Sequence, residues 1–210
     1  HQLKNVLRAK IGDQYIFFGT GMYDFTTKLK NVDKEGFQFI VESNKETYTE
    51  LQFELILMQA LPQKAEKWEW ILQKGTELGV SKFVPLITER TQRHQLPKQE
   101  RMDRILIEAI EQSSRTQLPQ VSELIPLKGL AVHHKTQMFF ASLHSDKNLL
   151  DYLQPSINKS IAVIIGPEGG FSNHEEDYLL SIGALPYSLG PRILRLETAA
   201  IVSLGLIVAA

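Results

Sequence analysis

Apolar and polar positions along this chain change rhythm near residue 50. Before that point the apolar residues fall in short β-type runs, at 15–18, 28–32 and 36–41. Turn-forming residues separate them, at Gly12-Asp13, Gly19-Thr-Gly21 and Asp33-Lys-Glu-Gly36. Short strands at this spacing predict a small β-barrel. Ahead of them, residues 1–10 read as a short helix with Leu3, Val6 and Leu7 on one face. Residues 47–52 are the expected linker, giving one domain over 1–51 and a second over 52–210.

Beyond the linker, strand-like runs alternate with helix-like ones, the pattern of an α/β domain with a largely parallel sheet. Strands are expected over 53–60, 83–87, 137–142 and 161–165. A helix over 64–78 repeats Trp68, Ile71, Leu72, Gly75 and Leu78 at helical spacing and stops at Gly79. A second, over 98–117, turns Met102, Ile105, Leu106, Ala109 and Ile110 inward. Shorter helical segments are expected near 148–153 and after residue 172, and a last helix near Glu197. Residues 199–210 are strongly apolar but too few to span a bilayer. They read as a buried helix packed on a sheet or on another subunit.

Composition narrows the function classes. A net charge of −1 gives no global attraction to a polyanion, so a nucleic-acid partner needs a local basic patch. Lys4, Arg8 and Lys10 form one acid-free basic stretch, and Arg90, Arg93 and His94 form a second basic stretch, with Arg101 and Arg104 following. Cysteine is absent, which excludes disulfides and thiol chemistry and agrees with a cytoplasmic setting. The six histidines show no metal-ligand spacing, so no metal is expected.

Chemistry concentrates in the second domain. The run 161–165 ends at Gly166-Pro-Glu-Gly-Gly170, and Ser172 with Glu175 makes a capping box for the next helix. Gly166, Gly169 and Gly170 allow positive φ and close approach of backbone to a ligand. The loop is neither a dinucleotide fingerprint nor a P-loop. It is a ligand loop, or a tight strand-to-helix turn with no ligand. A second glycine segment, Leu189-Gly-Pro-Arg-Ile-Leu-Arg-Leu-Glu-Thr198, and a third strand edge at Ser142-Leu-His-Ser145 favour the former. Open α/β sheets bind ligands outside the C-terminal ends of their strands. Three such edges can enclose an adenosine-sized molecule, with Leu143, Ile165 and Leu194 against its ring.

Several segments in order carry a resemblance: His1-Gln-Leu-Lys-Asn-Val-Leu-Arg8, Lys74-Gly-Thr-Glu-Leu-Gly79 before Val84-Pro85, Glu111-Gln-Ser-Ser-Arg115 before Pro119, and the two glycine segments. Across essentially its whole length the chain resembles the RsmE family, methyltransferases that modify N3 of a uridine in small-subunit (16S) ribosomal RNA. The resemblance implies a SPOUT-type C-terminal domain tied in a deep trefoil knot, a rare exception to ordinary chain connections. It further implies an N-terminal PUA-like RNA-binding barrel, S-adenosylmethionine as cofactor, and a homodimer. Family members usually carry a strand before the opening segment and a few residues after the last helix, so the chain is expected to be trimmed at both ends.

The expected cofactor-binding residues are Leu143, Ile165, Gly166, Pro167, Glu168, Gly169, Gly170, Leu189, Gly190, Ile193, Leu194 and Thr198. Methyl transfer to N3 removes an imide proton, so Glu197 is considered as a general base and Arg195 as a stabiliser of deprotonated uracil. A cap or ion pair accounts for Glu197 equally well. The expected RNA contacts are Lys4, Arg8, Lys10, Arg93 and Arg115, with an intramolecular salt bridge the alternative for Arg115. The same motifs admit a related methyltransferase acting on transfer RNA or another ribosomal site, or a non-catalytic RNA-binding assembly protein of the same fold.

Overall fold

A computed structural model of the chain describes residues 3, 7–18, 23–34, 36–46, 49–130, 136–153 and 160–210. Two compact units are present, one of residues 1–50 with 114–117, the other of 51–113 with 118–210.

In the first unit β1 (Gln14–Phe18), β2 (Tyr23–Val32) and β3 (Phe37–Glu46) form an antiparallel sheet in the order β1-β2-β3. Along β2, buried Thr27 and Leu29 alternate with exposed Lys28 and Lys30, the period-two signature of a sheet with one packed face. On β3, Phe39 meets Tyr15 and Phe17 edge-on, with centroids 5.7 and 4.8 Å away. The expected opening helix falls mainly outside the described residues, and over 7–10 it does not hold. Arg8 has φ of 49°, and the Lys10 amide donates to Asp13 Oδ2 at 2.7 Å, so residues 8–13 make a turn.

The second unit runs β4 (Glu54–Ala60), α1 (Ala65–Glu77), β5 (Lys82–Ile87), α2 (Gln99–Ser113), β6 (Gln120–Val121), β7 (Ile125–Pro126), β8 (Thr136–Ala141), β9 (Ser160–Ile165), α3 (Asn173–Ser181), β10 (Leu185–Tyr187) and α4 (Leu196–Ala209). Its strands lie in the order β10-β8-β9-β4-β5-β6, with β7 also on β5, and every pairing is parallel. Pro85 falls between the β6 and β7 pairings of β5, in keeping with proline's confinement to interrupted ladders.

Both faces of this sheet are covered, which is why β9 is buried at every position. On one side Leu55, Leu57, Phe83, Val163 and Tyr187 pack against Trp68, Ile71 and Leu72 of α1, Met102 and Leu106 of α2, and Leu204 of α4. On the other, Ile56, Met58, Phe140 and Ile164 pack against Leu179 of α3, with Leu127, Leu130 and Phe171. The α/β class with a parallel sheet is therefore the observed one.

Two helical expectations change. α2 ends at Ser113, four residues early, because Ser114 takes φ of 57° and residues 114–117 join the first unit. The segment near 148–153 is a single 3₁₀ turn, Leu149–Asp151, opened by an Asn148 capping box. β6, β7 and β10 have two or three residues each, too few to show periodicity.

Candidate functional site

Three loops leaving the C-terminal ends of β8, β9 and β10 enclose a cavity of about 310 Å³. The middle loop, Gly166 to Gly170, continues buried Ile165. Gly170 alone of its glycines needs the left-handed region, at φ of 68°, and its amide closes a turn onto the Pro167 carbonyl at 2.9 Å. Gly166 and Gly169 serve close packing instead of positive φ. A Cβ on Gly166 would lie 3.3 Å from the Phe171 ring and amide, and one on Gly169 would lie 3.2 Å from Arg90 Cδ.

This loop is fastened from several sides. Arg90 Nη1 donates to the Gly169 carbonyl at 2.6 Å and to the Phe171 carbonyl at 3.2 Å. Glu175, only 3% exposed, accepts from the amides of Glu89 at 2.7 Å and Ser172 at 2.9 Å. The Ser172 hydroxyl accepts in return from the Glu175 amide at 3.2 Å, completing the capping box of α3. Lys67 Nζ lies 3.3 Å from Glu168 Oε1.

The β8 edge is built on Ser142. Its amide donates to the Tyr187 carbonyl at 2.9 Å, its hydroxyl donates to Glu176 at 3.0 Å and accepts from the His144 amide at 3.0 Å. His144 Nδ1 stands 3.3 Å from the same carboxylate. The β10 edge begins at Tyr187, which is fully buried. Its hydroxyl is 2.6 Å from Ser203 Oγ, and Ser203 gives its one proton to the Ala199 carbonyl at 2.7 Å, so Tyr187 is the donor. Burial raises the Tyr187 pKa well above the ordinary phenol range, and the ring stays neutral. Gly190 then turns the chain at φ of 100°.

Of the expected cofactor residues, Leu143, Ile165, Gly166, Pro167, Glu168, Gly169, Gly170, Leu189, Gly190, Ile193 and Leu194 line the cavity. Thr198 does not, and neither Arg195 nor Glu197 reaches it. The helical phase of α4 decides this: Leu196 and Ala199, three residues apart, take the cavity side, and Arg195 and Thr198 face solvent. Glu197 is half-buried, with Oε2 3.2 Å from Lys67 Nζ, an ion pair without hydrogen-bond alignment. Phe171, Tyr187, Arg192 and Lys67 were not among the expected site residues. Phe171 and Arg192 carried a signal, their places beside and inside the two glycine segments, whereas Tyr187 and Lys67 carried none. Glu168 and Arg192 are the charged lining residues, so the cavity offers mainly backbone polar groups and apolar side chains.

The expected RNA contacts separate. Lys4 lies outside the described residues, Arg8 and Lys10 are exposed, and half-buried Arg93 donates from Nε to the Gln95 carbonyl at 2.6 Å. Arg115 is 3% exposed and cannot present itself to a phosphate. Its Nη2 donates to Glu50 Oε2 at 2.7 Å, and Glu50 also accepts from the amides of Thr116 at 2.8 Å and Gln117 at 3.0 Å. Burial of Glu50 works to raise its pKa. The guanidinium and the two amides outweigh burial, and the net shift is downward.

The model of an RNA methyltransferase domain matches residues 49–208. Ribosomal RNA small subunit methyltransferase E of Bacillus subtilis is 31% identical over 99% of this chain and 86% of its own length. A protein of that name from Neisseria gonorrhoeae, solved with S-adenosylmethionine, superposes with a TM-score of 0.86 at 27% identity, over 97% of this chain and 86% of that one. A Legionella pneumophila protein assigned as a methyltransferase and solved with the same cofactor gives 0.85 at 35% identity, over 99% and 87%. The chain belongs to the ribosomal RNA small subunit methyltransferase E family.

Proposed function

We propose that this protein transfers the methyl group of S-adenosylmethionine to N3 of one uridine in 16S ribosomal RNA. The observation that carries this reading is the cavity at the ends of β8, β9 and β10, in a chain similar over nearly its whole length to proteins of that name. The residues fit the cofactor. Leu143, Ile165, Leu189, Ile193 and Leu194 offer an apolar bed for the adenine. The crowding at Gly166 leaves backbone where a side chain would intrude. A volume of about 310 Å³ lies within the range of small-molecule sites.

When bound, S-adenosylmethionine supplies a methyl group on an electron-poor sulfonium sulfur. The protein's part is to hold the uracil N3 in line with that methyl and to let its proton leave, and alignment supplies most of the acceleration. Arg192, which lines the cavity, offers positive charge to the deprotonated imide, and Arg195, facing solvent, is not assigned that role. Glu197, bound to Lys67, is assigned to structure and not to proton abstraction.

The proposal extends to the assembly. The first unit acts as a PUA-like RNA-binding domain through Arg8 and Lys10, which are exposed. Residues 188–195 form part of a deep trefoil knot. The exposed Val202 and Val208 of apolar α4 contribute to a homodimer acting in the cytoplasm. Calorimetry with S-adenosylmethionine and mapping of methylated uridines in small-subunit particles test the central reading. Cofactor binding with methylation of one 16S uridine at N3 is expected; a folded preparation that binds no cofactor refutes it. Methylation confined to transfer RNA would refute the substrate alone.

A further inference from the structure

One ammonium group holds two of the cavity's walls. Lys67 Nζ, on α1, lies 3.3 Å from Glu168 Oε1 and 3.2 Å from Glu197 Oε2. Glu168 belongs to the glycine loop and lines the cavity; Glu197 sits in the first turn of α4, between the lining residues Leu196 and Ala199. Both carboxylates come from segments with no backbone pairing to each other, and one cation brings them together. We infer that Lys67 is a positioning residue for the methyl-donor site, setting the separation of the glycine loop from the start of α4. The inference rests on the reading that the cavity binds S-adenosylmethionine.

The strut is rigid at its base. Trp68, Ile71 and Leu72 beside Lys67 are fully buried, so α1 cannot shift to follow either loop. Lys67 itself is 23% exposed and Glu197 16%, and Glu197 Oε2 is closed to water with no aligned hydrogen-bond donor. Its compensation is therefore the charge of Lys67, helped by the N-terminal end of α4. Glu168 is better solvated, at 40% exposure, and accepts also from the Gln63 amide at 3.3 Å. Two carboxylates sharing one cation leave an excess negative charge. With the ammonium gone they repel, and the poorly hydrated Glu197 must swing toward water. That motion pulls the first turn of α4, and Leu196 with it, away from the glycine loop.

A lysine suits this place because its three donors sit on a compact charge that can face two acceptors at once. Arginine keeps the charge and should keep most of the function. Removing the second carboxylate together with the cation should relieve the repulsion, which loss of a merely space-filling residue would not allow.

The test is calorimetric titration of the purified full chain with S-adenosylmethionine, with thermal melts alongside. Lys67→Met is expected to raise Kd about tenfold, Lys67→Arg to stay within about threefold, and Lys67→Met/Glu197→Gln to return to within about threefold of the parent. An unchanged Kd in Lys67→Met overturns the inference, as does a loss that the double variant fails to recover. If Lys67→Met does not fold, the double variant decides: a near-parental Kd supports the bridge, and a weakened one refutes it. Absence of binding by the parent chain would instead remove the cofactor reading itself.

Discussion

Replacing Glu175 by glutamine tests what holds the glycine loop in place. The side chain is 3% exposed, and its two oxygens accept from the Glu89 amide at 2.7 Å and the Ser172 amide at 2.9 Å. Both partners are backbone N–H groups, which cannot reverse polarity. Glutamine has one oxygen to offer, so its NH2 must face a donor. One charge-assisted hydrogen bond worth about 1.5–3 kcal/mol is lost, and the other falls to the neutral range of about 0.5–1.5 kcal/mol. Loss of negative charge in the first turn of α3 adds about 0.3–1 kcal/mol. Together these predict destabilisation of roughly 3–5 kcal/mol. At about 2–4 °C per kcal/mol for a chain of this size, Tm should fall by about 6–20 °C. Far-ultraviolet circular dichroism during urea and thermal unfolding measures both. Ser172→Ala, which keeps the Glu175 contacts and loses only the cap, should cost about 0.5–2 kcal/mol. A Glu175→Gln loss below about 0.5 kcal/mol would sink the reasoning, since the amide groups would then be satisfied without the carboxylate.

Further outcomes follow from other contacts. Gly75→Ala gains about 1 kcal/mol of helix propensity, but its Cβ would lie 2.7 Å from Cε1 of fully buried Phe83. Overpacking of about 1–3 kcal/mol should win, and a Tm above the parent's would contradict this. The folded-state pKa of Glu50 is lowered, so its stabilisation is complete above the unfolded value of about 4.3 and disappears as pH falls through the folded value. The Tm gap between the parent and Glu50→Gln should therefore shrink between neutral pH and acid; a constant gap would disprove the linkage. Glu176→Ala frees the hydroxyl of Ser142 and the ring of His144. Its Kd for S-adenosylmethionine should rise about threefold to tenfold, and calorimetry showing no change would mean the β8 edge holds its shape unaided.

Much of the second unit was legible because its signals are local. Buried runs such as Ser160–Ile165 mark strands covered on both faces, and the Ser172–Glu175 capping box marks a helix start wherever it occurs. Adjacency of three glycine or polar edges to strand ends pointed to the cavity, and eleven of the twelve expected cofactor residues line it. The exception, Thr198, turned on the phase of α4 about its axis, which an all-round apolar helix does not display.

What only the tertiary structure decided are pairings between groups distant in sequence. Arg115, which follows Glu108 and Glu111 in the chain, pairs instead with the distant Glu50 and is buried with it. Glu197 lies beside two arginines in the chain yet meets Lys67 on another helix. Periodicity reports which face of an element is apolar, because burial acts on each residue separately. An ion pair depends on the distance between two side chains, and that distance is set by the order in which strands join the sheet.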